Sequence, residues 1–397
     1  MFTEQFFDLL LDFRGGWIVK EVETNLETNE VDIYVKYDGG GEIYDYAPAR
    51  RWRHLDTMQF KTFINCQLPR IRVEDGQVKT LSPPWADRHE RHTYLFESVI
   101  IGLLLATKNQ TQTARLMRCK FDVVNRVMHN AARRGMESRK DENEVFRHVS
   151  IDEKSFQKGH CYVTVLSHPA SGRVLDVTEG RTTEACKKLI NRAFTVNQRL
   201  GVKTVGMDMW RAFMAAAKEE LPLAEIVHDK FHLIKYLNEA IDKVRRREVK
   251  KHAELRNSRY AMLKNEENLT AKQRIKFDAI RQANYEVSRA WEVRENFRDV
   301  FKNASLEESQ TIFQQWHQTV KNSGIKEVIK VAEMFANHLT GVLNAMTTSF
   351  GNAMAERLNG KIQLLKSIAR GYRKFENFRS AILFFYGDLN LFPLKCR

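Results

Sequence analysis

The sequence of 397 residues predicts an α+β multidomain chain. Short apolar alternations broken by turn formers precede residue 80, a period-two run of strands interleaved with helical segments follows residue 149, and helical spacing then persists from about Asp242 to Leu339. A chain of this length can bury two or three cores.

From Gly16 to Arg72, alternations such as Val31-Asp-Ile-Tyr-Val35 are interrupted by turn formers, notably Asp38-Gly-Gly-Gly41, so residues 1–87 are expected to form a small strand-rich domain. The Ser82-Pro-Pro-Trp85 step ends it. From Thr93 onward the apolar residues fall at helical spacing through Leu95, Val99, Leu103 and Leu104, which opens a helical domain over 88–146.

Within that domain Asn109 to Met117 reads as a short helix and Arg118 to Phe121 as a turn. Asp122 is expected to cap a second helix, Val123 to Arg134, that carries Asn125, Arg126, His129, Arg133 and Arg134. A short helix, a tight turn and a basic second helix form the pattern of a helix-turn-helix that enters the major groove, with Gln112 of the first helix as a further DNA contact. An ordinary helical hairpin fits the same residues.

The period changes to two at Val149-Ser-Ile-Asp152, Tyr162 to Leu166 and Arg173 to Val177, with turns at Gly159 and at Ser171-Gly172. A helical stretch (Thr182 to Leu200) follows, then a strand ending in Val205-Gly-Met-Asp208, a helix (Ala212 to Glu220), a strand (Ala224 to Val227) and a helix from Phe231. Three strands followed by helix-strand-helix-strand-helix is the order of a ribonuclease-H-like mixed sheet covered by helices, placed at 147–241. Residues 242–345 then read as an all-helical insertion, with the basic run Arg245 to Lys251 and the spaced aromatics Trp291, Phe297, Phe301, Phe313 and Trp316. The core resumes over 346–397 with one helix, Ala353 to Ile368, the Gly371-Tyr-Arg-Lys-Phe375 segment and a final apolar stretch. Between Arg357 and Arg379 stand seven Lys/Arg and one acid, Glu376.

Lys and Arg total 64 against 50 Asp and Glu, a net charge of +14 that suits a polyanion, whether nucleic acid or an anionic membrane face. The five cysteines are scattered and odd in number, against both a disulfide framework and a zinc ribbon, and they fit a reducing cytoplasm. No run approaches the roughly 18 apolar residues of a membrane span. The start, MFTEQFFDLLLDF, carries acids where a signal peptide is basic, so a soluble intracellular protein is expected.

Magnesium is a hard cation that prefers carboxylate and water oxygens, so a catalytic pair of ions needs only a few protein acids. Asp152 lies in the first strand of the sheet and Asp208 ends the fourth; in this strand order those two are neighbours, and Glu356 on the late helix can complete the cluster. Two ions there could activate a water or a 3′-hydroxyl and stabilise the leaving oxygen. Singly, each acid has a plainer reading: Asp152 as a strand-end cap, Asp208 as a helix N-cap and Glu356 as a solvated charge.

The segments Val149-Ser-Ile-Asp-Glu-Lys154, Val205-Gly-Met-Asp-Met-Trp210, Val227-His-Asp-Lys-Phe-His232 and Asn352-Ala-Met-Ala-Glu-Arg-Leu-Asn-Gly-Lys361 resemble bacterial insertion-sequence transposases of the ISL3 family. Arg51-Trp-Arg-His-Leu-Asp56, Leu68-Pro-Arg70, Pro84-Trp-Ala86 and Gly371-Tyr372 extend the resemblance over nearly the whole chain. It implies a DDE transposase with Asp152, Asp208 and Glu356 as metal ligands and catalytic residues, two magnesium or manganese ions, double-stranded DNA (transposon ends and target) as partner, a homodimer on DNA, and a bacterial cytoplasmic, nucleoid-associated location. The spacings, 56 residues (152 to 208) and 148 (208 to 356), leave room for an insertion between the second and third acids. Asp38-Gly-Gly-Gly41 and Val73 stand where members of the family carry zinc-binding cysteines, so no structural zinc is expected.

Among other residues, His228 and Asp229 follow the fifth strand and could support the active site, or cap and pack the next helix. Asn359 shares a helical face with Glu356 and could orient substrate. Trp210 could cover the site or stack on an unpaired base, with core packing as the plainer expectation, as for Trp291 and Trp316. Arg357, Lys361, Lys366 and Arg373 are expected on DNA phosphates, and Arg245 and Arg246 either track the DNA backbone or form a solvated helix face. Two other functions share these features: an inactive DNA-binding regulator, and a nuclease of RNA–DNA hybrids.

Overall fold

The computed structural model describes residues 3–40, 42–73, 76–141, 144–157, 161–300, 305–347 and 353–393, without the side chains of 141, 299–300 and 353–356. Gly159, Phe301 and the Glu356 side chain therefore lie outside the described residues. The chain divides into two compact units, Met1–Arg139 with Leu389–Arg397, and Lys140–Asp388.

The first unit opens with α1 (Thr3–Leu11), an element the sequence reading did not assign, whose Phe7 is buried. Among the described residues seven strands follow: β1 (Trp17–Asn25), β2 (Glu30–Tyr37), β3 (Ile43–Tyr46), β4 (Arg50–Arg53), β5 (Lys61–Cys66), β6 (Pro69–Arg72) and β7 (Val78–Thr80). They form one sheet in the order β1-β2-β5-β4 and a second in the order β3-β6-β7. Trp17, Ile33, Trp52, Ile64 and Trp85 fill the core, with Trp85 edge-on to both Trp17 and Trp52.

Three helices complete this unit: α2 (Tyr94–Thr107), α3 (Gln110–Leu116) and α4 (Phe121–Asp141). Asn109 caps α3 by accepting from the Gln112 N–H. Arg118, in the left-handed region at φ 50°, turns the chain into α4. That helix departs from expectation at both ends. The Lys120 carbonyl already accepts from the Val123 N–H, so Asp122 sits inside the first turn instead of capping it. The helix also runs seven residues past Arg134, with Gly135 inside it as a packing site: a Cβ there would meet Leu389 at 2.7 Å.

In the second unit, β8 (His148–Gln157), β9 (Cys161–His168) and β10 (Arg173–Glu179) form an antiparallel meander. They lead to α5 (Thr183–Ala193), α6 (Val196–Gly201), β11 (Thr204–Met207), α7 (Arg211–Glu220), β12 (Glu225–His228) and α8 (Lys230–Glu248). The expected single helix over 182–200 is two, because Thr195 starts α6 with a capping box to Gln198 while Phe194 turns extended and buries. The sheet order is β10-β9-β8-β11-β12, with β8, β11 and β12 parallel. The first and fourth strands are thus neighbours, as the strand order required.

Alternation along β8 sends Val149 and Ile151 into a core with residues of α5 and α7, and leaves Ser150 and Asp152 on the other face. The helices α9 (Arg259–Leu263), α10 (Ala271–Gln282), α11 (Glu286–Val300), α12 (Leu306–Asn322), α13 (Lys326–Asn337) and α14 (Leu339–Thr347) follow. They gather around α8 on a second core in which Trp291, Phe297, Trp316 and Phe335 are buried. Finally, α15 (Ala353–Ile368) reaches β8 through Lys366 Nζ, which donates to the Ser155 carbonyl, and α16 (Phe375–Tyr386) packs on β10. No helix of the described residues is long and apolar enough to cross a membrane.

Candidate active site at the carboxyl ends of the parallel strands

The parallel pairing of β8 with β11 sets Thr204 opposite His148 and Gly206 opposite Ser150, a constant offset of 56 residues. Carried two residues further, this register brings Asp208 level with Asp152, so the spacing of the two acids in sequence is the register of the two strands. Pairing of β11 with β12 sets Met207 opposite His228, which brings Asp229 level with Asp208. Three aspartates therefore stand in a row across neighbouring strands, which lie about 4.8 Å apart. A pocket at that end of the sheet is lined by Asp152, Asp208, His228, Asp229, Lys230 and His232. Carboxyl ends of parallel strands are where open sheets of this kind place ligands.

The plainer readings of the two leading acids do not hold. Asp152 does not cap a strand end, since β8 continues to Gln157. Asp208 does not cap α7, whose N-cap residue is Trp210 with no side-chain bond. Each instead accepts from the backbone N–H that follows it, Glu153 for Asp152 and Met209 for Asp208, both at 2.7 Å. Asn359 Nδ2 donates to Asp152 Oδ2 at 2.7 Å, and Lys154 Nζ lies 3.3 Å from the same oxygen. Tyr236 directs its hydroxyl at both Asp208 oxygens, at 3.1 and 3.0 Å. Burial and then the Asp208 charge push the Tyr236 phenol far up, so it stays a donor.

Asp229 does two things: it caps α8 through the Phe231 N–H and accepts from His232 Nδ1 at 2.7 Å. Burial disfavours the charged imidazole of His232, but the Asp229 hydrogen bond and the charges of Asp208, Asp229 and Asp152 outweigh it and raise its pKa. His232 thus senses all three aspartates. His228 is buried, its Nδ1 facing the Met207 carbonyl at 3.3 Å, and burial lowers its pKa. Its ring fills the space above Gly341, where a Cβ would meet it at 2.5 Å.

Tyr236, His232, Lys230 and Lys154 were missed as site residues. A signal existed: Asp229, His232 and Tyr236 recur at intervals of three and four, one face of a helix.

Other expected positions fall in varied settings. Trp210 is not core; it is 42% exposed, donates to the Arg181 carbonyl and lies under the Arg181 guanidinium, which also covers Tyr162. Trp291 and Trp316 are buried as expected. Gln112, Arg357, Lys361 and Arg373 are exposed, and Asn125 and His129 partly so. Arg126 pairs with Glu90, Arg133 with Glu137 and Arg134 with Glu97, so Arg134 is tied into its own unit. Arg245 and Arg246 both pair with Asp242.

Asp152 and Asp208 offer hard oxygen donors, partly open and free of arginine, which suits a divalent cation with retained waters. Among the described residues no three His, Cys, Asp or Glu side chains are grouped to hold an ion. Glu356, the expected third ligand, begins one turn before Asn359 in α15.

The family model of ISL3-type DDE transposases, described as "Transposase", matches residues 149–382, more than half of the chain. The chain is 27% identical over 355 residues to the "Transposase for insertion sequence element IS1557" of Mycobacterium tuberculosis, covering 82% of this chain and 79% of that protein. It is 25% identical over 392 residues to the "Transposase for insertion sequence element IS1001" of Bordetella parapertussis, covering 93% and 96%. With acids, register and family model coinciding on one sheet, the chain belongs to the ISL3 family of DDE transposases.

Proposed function

We propose that the protein is the transposase of an insertion sequence, binding the terminal inverted repeats of its element and cleaving and joining DNA strands at the Asp152–Asp208 pocket. The observation that carries this reading is the shared register offset, which sets the two carboxylates level on neighbouring strands. The sheet order, an antiparallel meander followed by two parallel strands, supports a ribonuclease-H-like core over 147–241 and 346–397, with 242–345 as the helical insertion.

Asp152, Asp208 and Glu356 would hold two magnesium or manganese ions, which when bound supply Lewis-acid activation of a water or 3′-hydroxyl and stabilisation of the leaving oxygen. Asn359 and Tyr236 fix the two aspartates by donating to them, as outer-shell partners of metal ligands do. His232, held by Asp229 and with its pKa raised by the neighbouring aspartates, would favour its charged form beside a bound phosphate. Arg357, Lys361 and Arg373 are exposed cations for the DNA backbone. Residues 1–146 are assigned to end recognition, with α3 and α4 read as a helix-turn-helix, and a dimer is expected to pair the two ends. In the bacterial host such a protein works in the cytoplasm at the nucleoid.

The test is cleavage of a duplex carrying the element's own ends, with magnesium or manganese, by the intact protein and by Asp208→Ala. Loss of cleavage with retained end binding supports the reading. Binding to the ends without cleavage by either protein would make the chain a DNA-binding regulator, and cleavage unchanged in the variant would place the chemistry elsewhere.

A further inference from the structure

Beyond the aspartate row, α8 carries a second feature that the reaction does not use. Its outward face and α9 wall a groove lined by Phe231, Ile234, Lys235, Lys243, Arg246 and Arg259. Phe231, 55% exposed, lies edge-on to His232, so the mouth of the groove adjoins the active-site pocket along one helix.

The far end of the groove is built around one buried acid. Asp242, 7% exposed, pairs with Arg245 at 2.8 Å and Arg246 at 3.1 Å, and lies 3.8 Å from Arg259. One carboxylate cannot neutralise three guanidiniums. Arg245 is largely covered, whereas the side chains of Arg246 and Arg259 are 64% and 59% exposed. Asp242 thus anchors two cations that remain open to an anion, and the exposed Lys235 and Lys243 add to them along the same face, outnumbering the exposed Glu239. A bland solvated helix face would not need a buried carboxylate to hold its arginines together.

We infer that this groove binds an unpaired DNA strand continuing from the phosphodiester in the active-site pocket, with Phe231 stacking on a base and Arg246 and Arg259 on backbone phosphates. The assignment rests on the strand-cleavage reading above. A duplex would offer the groove phosphates alone and leave the apolar floor of Phe231, Ile234 and Leu263 unfilled, whereas an unpaired strand brings base faces as well as charge. The seventeen residues from Lys230 to Arg246 span about 24 Å of helix, enough for several nucleotides.

The experiment measures binding without metal, by fluorescence anisotropy, of a blunt duplex carrying the element's end and of the same duplex with a single-stranded tail at the cleavage position. Wild type is compared with Phe231→Ala, with Arg246→Ser/Arg259→Ser, and with Lys235→Ser/Lys243→Ser, whose exposed positions leave packing untouched. Tailed DNA should bind wild type more tightly than blunt DNA. Phe231→Ala should remove about fivefold to a hundredfold of affinity for the tailed form. Each double variant should lower the slope of log affinity against log salt by about 1.4. Blunt-duplex affinity should stay within about twofold throughout, since the groove contributes only to the unpaired strand. Equal weakening on both DNAs, or none on either, overturns the inference. Magnesium-dependent cleavage by wild type in parallel separates the two claims: cleavage with no effect of the groove variants removes only the groove, and tail binding through the groove without cleavage removes only the strand-cleavage reading.

Discussion

Two aspartates of one sheet are treated in opposite ways. Asp176 of β10 is fully buried, and Arg192 of α5 at 2.5 Å and Arg379 of α16 at 2.8 Å close on it. Asp208, after β11, is partly open and among the described residues meets no arginine, accepting from the neutral hydroxyl of Tyr236 and from a backbone N–H. The first acid pins two helices to the sheet edge. At the second the fold gathers two further aspartates, Asp152 beside Lys154 and Asp229 beside His232, around an Asp208 that has no ion-pair partner among the described residues, a charge that an ion would relieve. An acid closed in by two arginines holds this fold together; an open one without arginine marks its site.

The widest separation between the two should come from deleting each. Asp208→Ala is expected to lower metal-dependent cleavage by at least about a thousandfold while leaving the urea midpoint unchanged or raised. Asp176→Ala leaves two guanidiniums against a buried strand and should cost about 3–5 kcal/mol in the same unfolding experiment. A stability loss for Asp208→Ala as large as that of Asp176→Ala would erase the distinction.

His54 shows a third way of settling a buried group, by keeping it neutral. Burial and then the Arg53 charge push its pKa down to about 4, and its Nδ1 pairs with Thr93 Oγ1 at 2.9 Å. The unfolded imidazole takes a proton below about 6.5 while the folded one does not until about 4. Stability from this group is therefore complete above about 6.5 and lost as pH falls toward 4, by at most about 3 kcal/mol. Urea midpoints at pH 7.5 and 4.5 should diverge less in His54→Gln than in wild type; equal divergence would mean that other groups carry the pH dependence.

A smaller effect probes the supports of the open acids. Asn359→Ala and Tyr236→Phe each remove one donor to an aspartate and should cost about 10- to 100-fold in metal affinity or cleavage, with the melting temperature unchanged. A Tyr236→Phe variant as active as wild type would leave Asp208 positioned by its backbone N–H alone.

Much of this was legible in the sequence because the relevant signals are local. Apolar alternation located β8 to β12 within a few residues, the strand order made β8 and β11 neighbours, and Ala353 to Ile368 is one helix as expected. What stayed hidden depends on partners distant in sequence. The basic run reads from sequence as a DNA track or a solvated face, but its ties do not show: Arg247 pairs with Glu286 and Glu327, and Asp242 gathers Arg245 and Arg246 while leaving Arg246 exposed, uses that no periodicity reveals. The continuation of α4 past Arg134 was hidden likewise, since Gly135 packs against Leu389, which needs its missing Cβ and lies at the other end of the chain. Asp176 in Val-Leu-Asp-Val177 drew no notice, although an acid inside so apolar a strand must find cations.

The most direct test of the central claim is the melting temperature of the intact protein and of Asp208→Asn, each with and without manganese. If the carboxylates of the aspartate row form the metal site, manganese raises the melting temperature of the intact protein by linkage, and Asp208→Asn melts at or above the metal-free wild type and no longer responds. An equal manganese response in both proteins would contradict the account and place the ion away from the aspartate row.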